Sequence, residues 1–497
     1  MTSNSSVNMV ERGGISFILG LSGFILMFLF KLIAARYFGP GDFGLFEFTM
    51  TFFNILLVFS SLGIGEGISV FLPTYELKKD NDSIRGYIRF VYFAPLLVSF
   101  CLGAIVYIFS NSISSFFNIV GLSLSLKIIS IVLPFKVMSY ITRLILISKH
   151  KIFISAFAHN ILEKSILLCG VFIVLMNQES VYLLFLFFVA SIILSLLFDL
   201  FYFFRYVRLD IWTKSKNNYT EWMRFSFPLL FTGVFSYLIN WTDNLVIGKL
   251  LSNELLGVYA VAFSFTAFLL FFKDALSTVF TPIISEKLAN NDHSGISYLF
   301  MKSQVWIMLF TIPVSFILIF FSKSVIEIIY GVNYTSGANL VILLSLCFIL
   351  SVFFGLGQNI LLIHKKTKSI FYVIAIVAIF NIFLNIYLIN IYGIFGAALA
   401  SGLAFIIKNI LIYVSAFRLE KLNFDITTNI KIILSSILSA VLLKIILLYL
   451  QTNNIWVILF AIFLFLCFYV IFLFLLKTFD IEDRSIFFSI IYKIKLF

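Results

Sequence analysis

The sequence runs to 497 residues, 62% of them hydrophobic and 12% charged, with a formal net charge of +12. A water-soluble protein of that length needs roughly a quarter of its residues charged to cover its surface, so a soluble globule is excluded and lipid must stand where water would. The excess of Lys and Arg is read below as an orientation signal toward anionic inner-leaflet lipid, and no nucleic-acid partner is expected.

Only helices and closed barrels satisfy every backbone group inside hydrocarbon. Barrel strands alternate apolar and polar residues, whereas this chain runs in long apolar blocks such as Val457 to Leu476. Each block approaches the ~20 residues that a helix needs to cross a bilayer. In chain order, spans are expected at 14–35, 43–72, 84–109, 120–147, 152–176 and 180–204. After the polar stretch 205–223 come 224–248, 256–283, 298–322, 338–363, 369–389, 394–416, 430–450 and 454–477. The fold class is therefore all-α integral membrane, with about 14 transmembrane helices.

With a cytoplasmic N-terminus, the even-to-odd connections should carry the basic residues. They hold Lys78, Lys79, Arg85, Arg89, Lys149, Lys151, Arg205, Arg208, Lys214, Lys216, Lys365, Lys366 and Lys368; the odd-to-even ones hold little beyond Arg36, Lys249 and Lys323. A multi-pass protein of the cytoplasmic (inner) membrane follows, with both termini cytoplasmic and short outer connections. The polar start, Met1 to Arg12, has no cleavage signal after it, so the first span is expected to be retained. The four cysteines lie in apolar blocks without metal or disulfide spacing.

The chain also repeats itself. Arg12 and Arg224 open spans one and seven, 212 residues apart, and Gly44-Leu45-Phe46 answers to Gly257-Val258-Tyr259. Pro73 and Pro282 mark the ends of spans two and eight; Pro95 and Pro313 lie in spans three and nine. Six spans separate the copies, so both halves point the same way, as in transporters built from parallel repeats. The expected organisation is a six-helix bundle over 1–204, a linker over 205–223, a second six-helix bundle over 224–416, and two further helices with a tail over 417–497.

Ala35-Arg36-Tyr37-Phe38-Gly39-Pro40-Gly41-Asp42-Phe43-Gly44-Leu45-Phe46 resembles the signature of the Wzx-type O-antigen and polysaccharide flippases. These belong to the multidrug/oligosaccharidyl-lipid/polysaccharide exporter superfamily. Leu62 to Ile68 with Leu72-Pro73-Thr74-Tyr75, Asp243 to Gly248, and Asn385 to Leu388 leading into Tyr392-Gly393 and Gly396-Ala397-Ala398 extend the resemblance in order. Asn390 departs from it, standing where the family often has proline. The resemblance implies two bundles around a cavity that opens alternately to either side. It also implies a polyprenyl-pyrophosphate-linked glycan as cargo, with membrane lipid and other polysaccharide-assembly proteins as partners. On physical grounds Gly39-Pro40-Gly41-Asp42 is a tight turn, with Asp42 placed to cap the next helix.

A charge at the middle of a membrane helix costs about 2.5–3.5 kcal/mol on insertion scales, so each must face protein or a wet cavity. Lys31 and Asp243 occupy equivalent repeat positions and are candidates for a latch at the outer mouth; the plainer reading is snorkelling by Lys31 and local bonding by Asp243. Spans four and five form a hairpin around His150, with Lys136 14 residues before it and Glu163 13 after, so the two reach one depth and are expected to pair. Lys136, Ser139, Tyr140 and Arg143 share a helix face that would suit a pyrophosphate. Arg12 and Arg224 are placed to receive a diphosphate first, or to anchor the inner ends. His159, Glu163, Asp199 and Asp274 are candidates for coupling proton movement to transport.

No P-loop motif, metal-ligand spacing or catalytic cluster in a soluble loop is present, so no cofactor and no enzymatic activity are expected. The expected function is a flippase working by alternating access. A cation-coupled drug exporter or a peptidoglycan-precursor flippase of the same superfamily is the nearest alternative. A glycan polymerase or ligase, which would need a long outer loop, is the more distant one.

Overall fold

The computed structural model describes residues 2–149, 151–207, 215–450 and 455–478, side chains excepted at 2–17, 278–279, 282, 446–450 and 455–456. The described residues form α1 (Thr2–Ser60), α2 (Ile64–Leu77), α3 (Asn81–Phe117), α4 (Leu122–Ser148) and α5 (Ile152–Phe157). A π turn (Ala158–Leu162) follows, then α6 (Glu163–Asn177), α7 (Val181–Tyr206), α8 (Tyr219–Leu250), α9 (Asn253–Thr266), α10 (Phe268–Ala289) and α11 (His293–Tyr330). The rest are α12 (Ala338–Phe353), α13 (Gly357–Ile363), α14 (Thr367–Tyr392), α15 (Ile394–Phe417), α16 (Ile426–Leu450) and α17 (Ile455–Leu475).

Twelve of the described helical stretches are long and apolar enough to cross a membrane, and the bent pair α9–α10 makes thirteen. One of the twelve, Ile18–Leu77, is 60 residues long and is itself two spans. Gly39 interrupts it with φ 73° and ψ 176°, a conformation that glycine adopts at little cost. Pro40 then starts the second arm, where its missing N–H is no loss. Lys31 Nζ lies 2.8 Å from Glu47 Oε1, and the rings of Phe30 and Phe46 are 5.6 Å apart. In one straight helix those pairs would stand about 24 Å apart, so the arms fold back on each other and the spans among the described residues number fourteen.

The internal repeat is visible in local geometry. Before α3, Lys79 has φ 54° and Asp80 caps the helix by accepting from Ser83 N at 3.0 Å. Before α11, Asn291 has φ 55° and Asp292 accepts from Gly295 N at 2.8 Å. Both pairs are 212 positions apart, and a left-handed residue followed by an Asp cap is the same device twice. The half-buried Asp292 carboxyl is held down at about 2, chiefly by its hydrogen bond from Lys287. The Asp80 carboxyl is likewise held below its usual range, chiefly by the Ser83 amide.

The helices pack into two compact units, one of residues 1–261 with 374–404 and one of 262–373 with 405–497. In the second, α16 and α17 lie against α11 through an apolar core of Val305, Met308, Leu309, Ile312, Ile432, Tyr469 and Leu473. Tyr469 OH donates to Leu309 O at 2.8 Å, which satisfies the one polar atom its ring brings inside. Gln304 and Asn429 exchange amides across the same helices, the tighter bond being 2.9 Å.

Candidate functional site: a buried charge network

In the first unit, α4 lies against α7 and against α3. Its inward face carries Lys136, Ser139 and Arg143, all buried. Lys136 Nζ donates to Glu163 Oε1 at 2.5 Å. Glu163 Oε2 lies 3.3 Å from His159 Nδ1, and Ser139 Oγ donates to Asp199 Oδ2 at 3.0 Å. Arg143 Nε donates to Ser139 O at 3.4 Å. Beside them Tyr92 and Thr142 share a hydrogen bond of 2.8 Å. Two cations and two carboxylates thus meet inside a set of membrane-crossing helices, where low polarity makes each pairing strong and each unpaired charge costly.

The π turn builds part of this site. Ala158 O accepts the amide of Glu163 five residues on and the Ser195 hydroxyl at 3.4 Å. The wider turn leaves His159 and Glu163 on one side of the helix, and π turns of this kind are frequent at functional sites. The first arm of α1 comes close here: a Cβ on Gly23 would stand 2.7 Å from Asn160 Cβ. Glycine is the residue that permits that approach.

Asp199 is wholly buried, and its second oxygen, Oδ1, has no hydrogen-bond partner among the described residues. A bare carboxylate oxygen in such a place is expensive, whereas a protonated one is not. The arrangement joins Asp199 to the Ser139 hydroxyl and, through the Ser139 carbonyl, to Arg143. It offers little free cationic surface, because the Lys136 ammonium is taken by Glu163. Tyr140, on the adjoining part of α4, is half-buried, with its hydroxyl 2.7 Å from where a Cβ on Gly65 would be.

The remaining candidates lie elsewhere. The Lys31 and Asp243 groups, candidates for a latch, are engaged separately. Lys31 pairs with Glu47 across the α1 hairpin; Asp243 Oδ2 accepts from Tyr259 OH and from Ser401 Oγ at 3.1 Å. The physical reason is reach: each finds a partner on a helix packed directly against its own. Asn381 Nδ2, on α14, donates to Ala400 O at 3.4 Å, next to Ser401. Arg224 is exposed on the first turns of α8. Asp274 is exposed and pairs with neighbouring Lys273 at 2.8 Å. The Arg12 side chain lies outside the described residues.

Two features escaped the sequence reading. One is Glu47. The other is Glu420, 3% exposed, which takes His293 Nδ1 at 3.0 Å and His364 Nε2 at 2.8 Å and so ties the ends of α11, α13 and α15 together. A cavity of about 580 Å³ lies beside it, lined by His293, Ser297, Tyr298, Met301, Glu420 and Lys421 among others. The three residues of that tie are 56 to 127 positions apart, a spacing with no local signal.

Comparison with known proteins gives this geometry a setting. A family model described as polysaccharide biosynthesis protein matches residues 33–339. A probable low-salt glycan biosynthesis flippase, Agl15 of Haloferax volcanii, is 26% identical over 215 residues. That alignment covers 43% of this chain and 44% of the relative, less than half the relative's length. An uncharacterized membrane protein of Methanocaldococcus jannaschii, MJ1068, is 23% identical over 402 residues, 77% of this chain and 78% of that one. Among solved structures, the lipid II flippase MurJ in an inward closed conformation is similar with a TM-score of 0.70. Its identity is 21%, over 93% of this chain and 98% of that one. An inward-facing multidrug resistance MATE family transporter of the MOP superfamily has a TM-score of 0.67 at 14% identity, over 82% of this chain and 97% of that one. At such identities the likeness is one of fold.

Proposed function

This chain belongs to the polysaccharide biosynthesis protein family, and we propose that it is a flippase that moves a polyprenyl-pyrophosphate-linked oligosaccharide from the inner to the outer leaflet of the cytoplasmic membrane. The observation that carries the reading is the buried network of Lys136, Glu163, His159, Arg143 and Asp199 inside a chain with the fold of membrane flippases and exporters. Charges in hydrocarbon are costly and are kept where they work.

In this reading the two bundles, 1–204 and 224–416, rock about the cargo, and the helices over 417–497 brace the second. Arg224 and Arg12, at the inner mouths, meet the diphosphate first; the arginine fork suits a phosphate pair. The polyprenyl tail stays in lipid throughout. Asp199, one of whose oxygens has no partner among the described residues, takes up the proton that couples transport, and Glu163 with His159 adjusts Lys136 as it does so. Asp274, exposed beside Lys273, is the second candidate for coupling. Both termini are cytoplasmic, and other glycan-assembly proteins work beside the flippase.

A second reading, a peptidoglycan-precursor flippase, draws on the whole-chain likeness of fold to MurJ. Complementation separates the two. The gene is deleted in its native host, and surface glycan and the sidedness of lipid-linked intermediates are examined. Loss of surface glycan, with intact oligosaccharide accumulating in the inner leaflet, is expected. Normal glycan with a cell-wall defect would transfer the function to the precursor, and unpolymerised repeat units in the outer leaflet would point to an enzyme.

A further inference from the structure

Two lysines inside the first unit are matched with carboxylates, Lys31 with Glu47 at 2.8 Å and Lys136 with Glu163 at 2.5 Å. The second unit holds a lysine with no such match. Lys408 is half-buried on α15, 14 residues after Ile394 at its start and nine before Phe417 at its end. Its ammonium stands 4.9 Å from the centre of the Phe405 ring, a contact that attracts a cation without neutralising it. Among the described residues Lys408 has no hydrogen-bond or ion-pair partner. Phe405 is in turn packed edge-on against Phe348, ring centres 5.4 Å apart. Snorkelling does not account for this placement. The nearer helix end is Phe417, about 14 Å away, yet the side chain lies back over Phe405, toward the farther end.

The charged groups that act on Lys408 are Lys273 and Asp274 of α10. The stem of Lys273 passes the break between α12 and α13: a Cβ on Gly355 would stand 2.5 Å from Lys273 Cδ, so glycine leaves that path open. Lys273 Nζ reaches Asp274 Oδ1 at 2.8 Å, and the Asp274 side chain is 66% exposed. The pair lies near the middle of the α9–α10 stretch, Asn253–Ala289. So open an ion pair at that depth faces water, because a charge against hydrocarbon is costly. Two ammonium groups and one carboxylate leave the cluster with a net charge of +1.

We infer that Lys408 and Lys273 form a carboxylate subsite that selects cargo carrying an acidic sugar, such as a hexuronate; the inference rests on the flippase reading above and deepens it. One sugar carboxylate balances the cluster. A diphosphate brings more negative charge than the cluster can match, and the Asp274 carboxylate stands against it. None of α9, α10, α12, α13 and α15 carries an arginine, the side chain whose fork suits a phosphate pair. An ammonium is a compact charge with rotatable donors and takes a single carboxylate without demanding one geometry. Asp274 holds Lys273 in place and, being exposed, accepts from the sugar hydroxyls beside the carboxylate. Lys408, with no anion of its own, is the specificity-determining contact.

The test uses the full-length chain in vesicles of phosphatidylcholine, a lipid that offers no carboxylate. Two probes are compared: a polyprenyl-pyrophosphate-linked oligosaccharide containing one hexuronate, and the same molecule with that carboxyl reduced to the alcohol. The wild type is expected to flip the acidic probe about tenfold faster than the neutral one. Lys408→Met should bring the ratio of the two rates near one, and Lys408→Arg should keep most of the preference. Because Lys408 has no ion-pair partner among the described residues, Lys408→Met should also unfold at no lower temperature than the wild type; a clear drop would mark a structural role and overturn the inference. Equal rates for both probes in the wild type would overturn it too, as would an intact preference in Lys408→Met. Binding of the two oligosaccharides without their lipid, measured on the chain in nanodiscs of the same lipid, separates the two readings. Preference for the acidic one, lost in Lys408→Met, in a chain that flips neither probe would keep the subsite and remove the flippase.

Discussion

In the first repeat α4 meets α6 through an ammonium and a carboxylate 2.5 Å apart, whereas in the second repeat α10 meets α13 through an amide. Asn359 Nδ2 donates to Ser277 Oγ at 2.5 Å and to Thr281 Oγ1 at 2.6 Å, and Asn409 Nδ2 donates to Ser351 O and Oγ, both at 2.8 Å. The helices α12 and α13 carry no charged residue at all. Neutral hydrogen bonds hold membrane helices together at small cost. Ionised groups are far more expensive to bury, so packing alone does not call for them. Duplication preserved the backbone devices, such as the Asp80 and Asp292 caps, while the chemistry inside the halves diverged.

The comparison breaks most visibly at Lys136. Lys136→Met leaves the buried Glu163 carboxylate without its cation, with only His159 beside it, and should destabilise the protein by about 3–5 kcal/mol, seen as unfolding at lower temperature in micelles. Removing both charges, with Lys136→Met and Glu163→Leu together, should recover most of that stability while export stays lost. Recovery of export as well would reduce the pair to packing. In the second repeat, Asn359→Ala should cost about 1 kcal/mol by the same assay and leave export near normal. A full loss of export there would erase the contrast between the halves.

The smallest effect belongs to the shared cap. The Asp292 carboxyl is held at about 2, below the ~4 of an unfolded chain. Its contribution is therefore complete above pH ~4 and is lost as pH falls through ~2. Asp292→Asn should flatten the acid-induced loss of stability in that window, measured as the melting temperature at stepped pH. An unchanged slope would mean that other carboxylates set the acid limit.

Much of the fold was open to a reader of the sequence, because hydrocarbon imposes a length on every apolar block. The expected spans fall on the observed helices, and the doubled landmarks pointed to the repeat. Lys136 and Glu163 were found by counting equal depths from a hairpin. The same count at Gly39 would have found Lys31 and Glu47, which stand eight residues either side of it. Matching Lys31 to Asp243 by repeat position instead compared residues that occupy equivalent places, which need not be neighbours. The Glu420 tie was hidden because its partners come from three helix ends far apart in sequence. The π turn was hidden for another reason: nothing in Ala158-His159-Asn160-Ile161-Leu162 distinguishes a wide turn from an ordinary one until Ser195 is brought beside it.

The Lys31–Glu47 pair also bears on how the chain enters the membrane. Glu47 is 3% exposed, and its partner lies on the other arm of a turn built on Gly39 and Pro40. If the two arms reached lipid one after the other, each would carry a naked charge into hydrocarbon at about 2.5–3.5 kcal/mol apiece. Entering together, they cancel before lipid reaches either. The first sixty residues are thus suited to leave the insertion machinery as one closed hairpin, and a tag or protease site placed in that turn would disturb biogenesis before it disturbed transport.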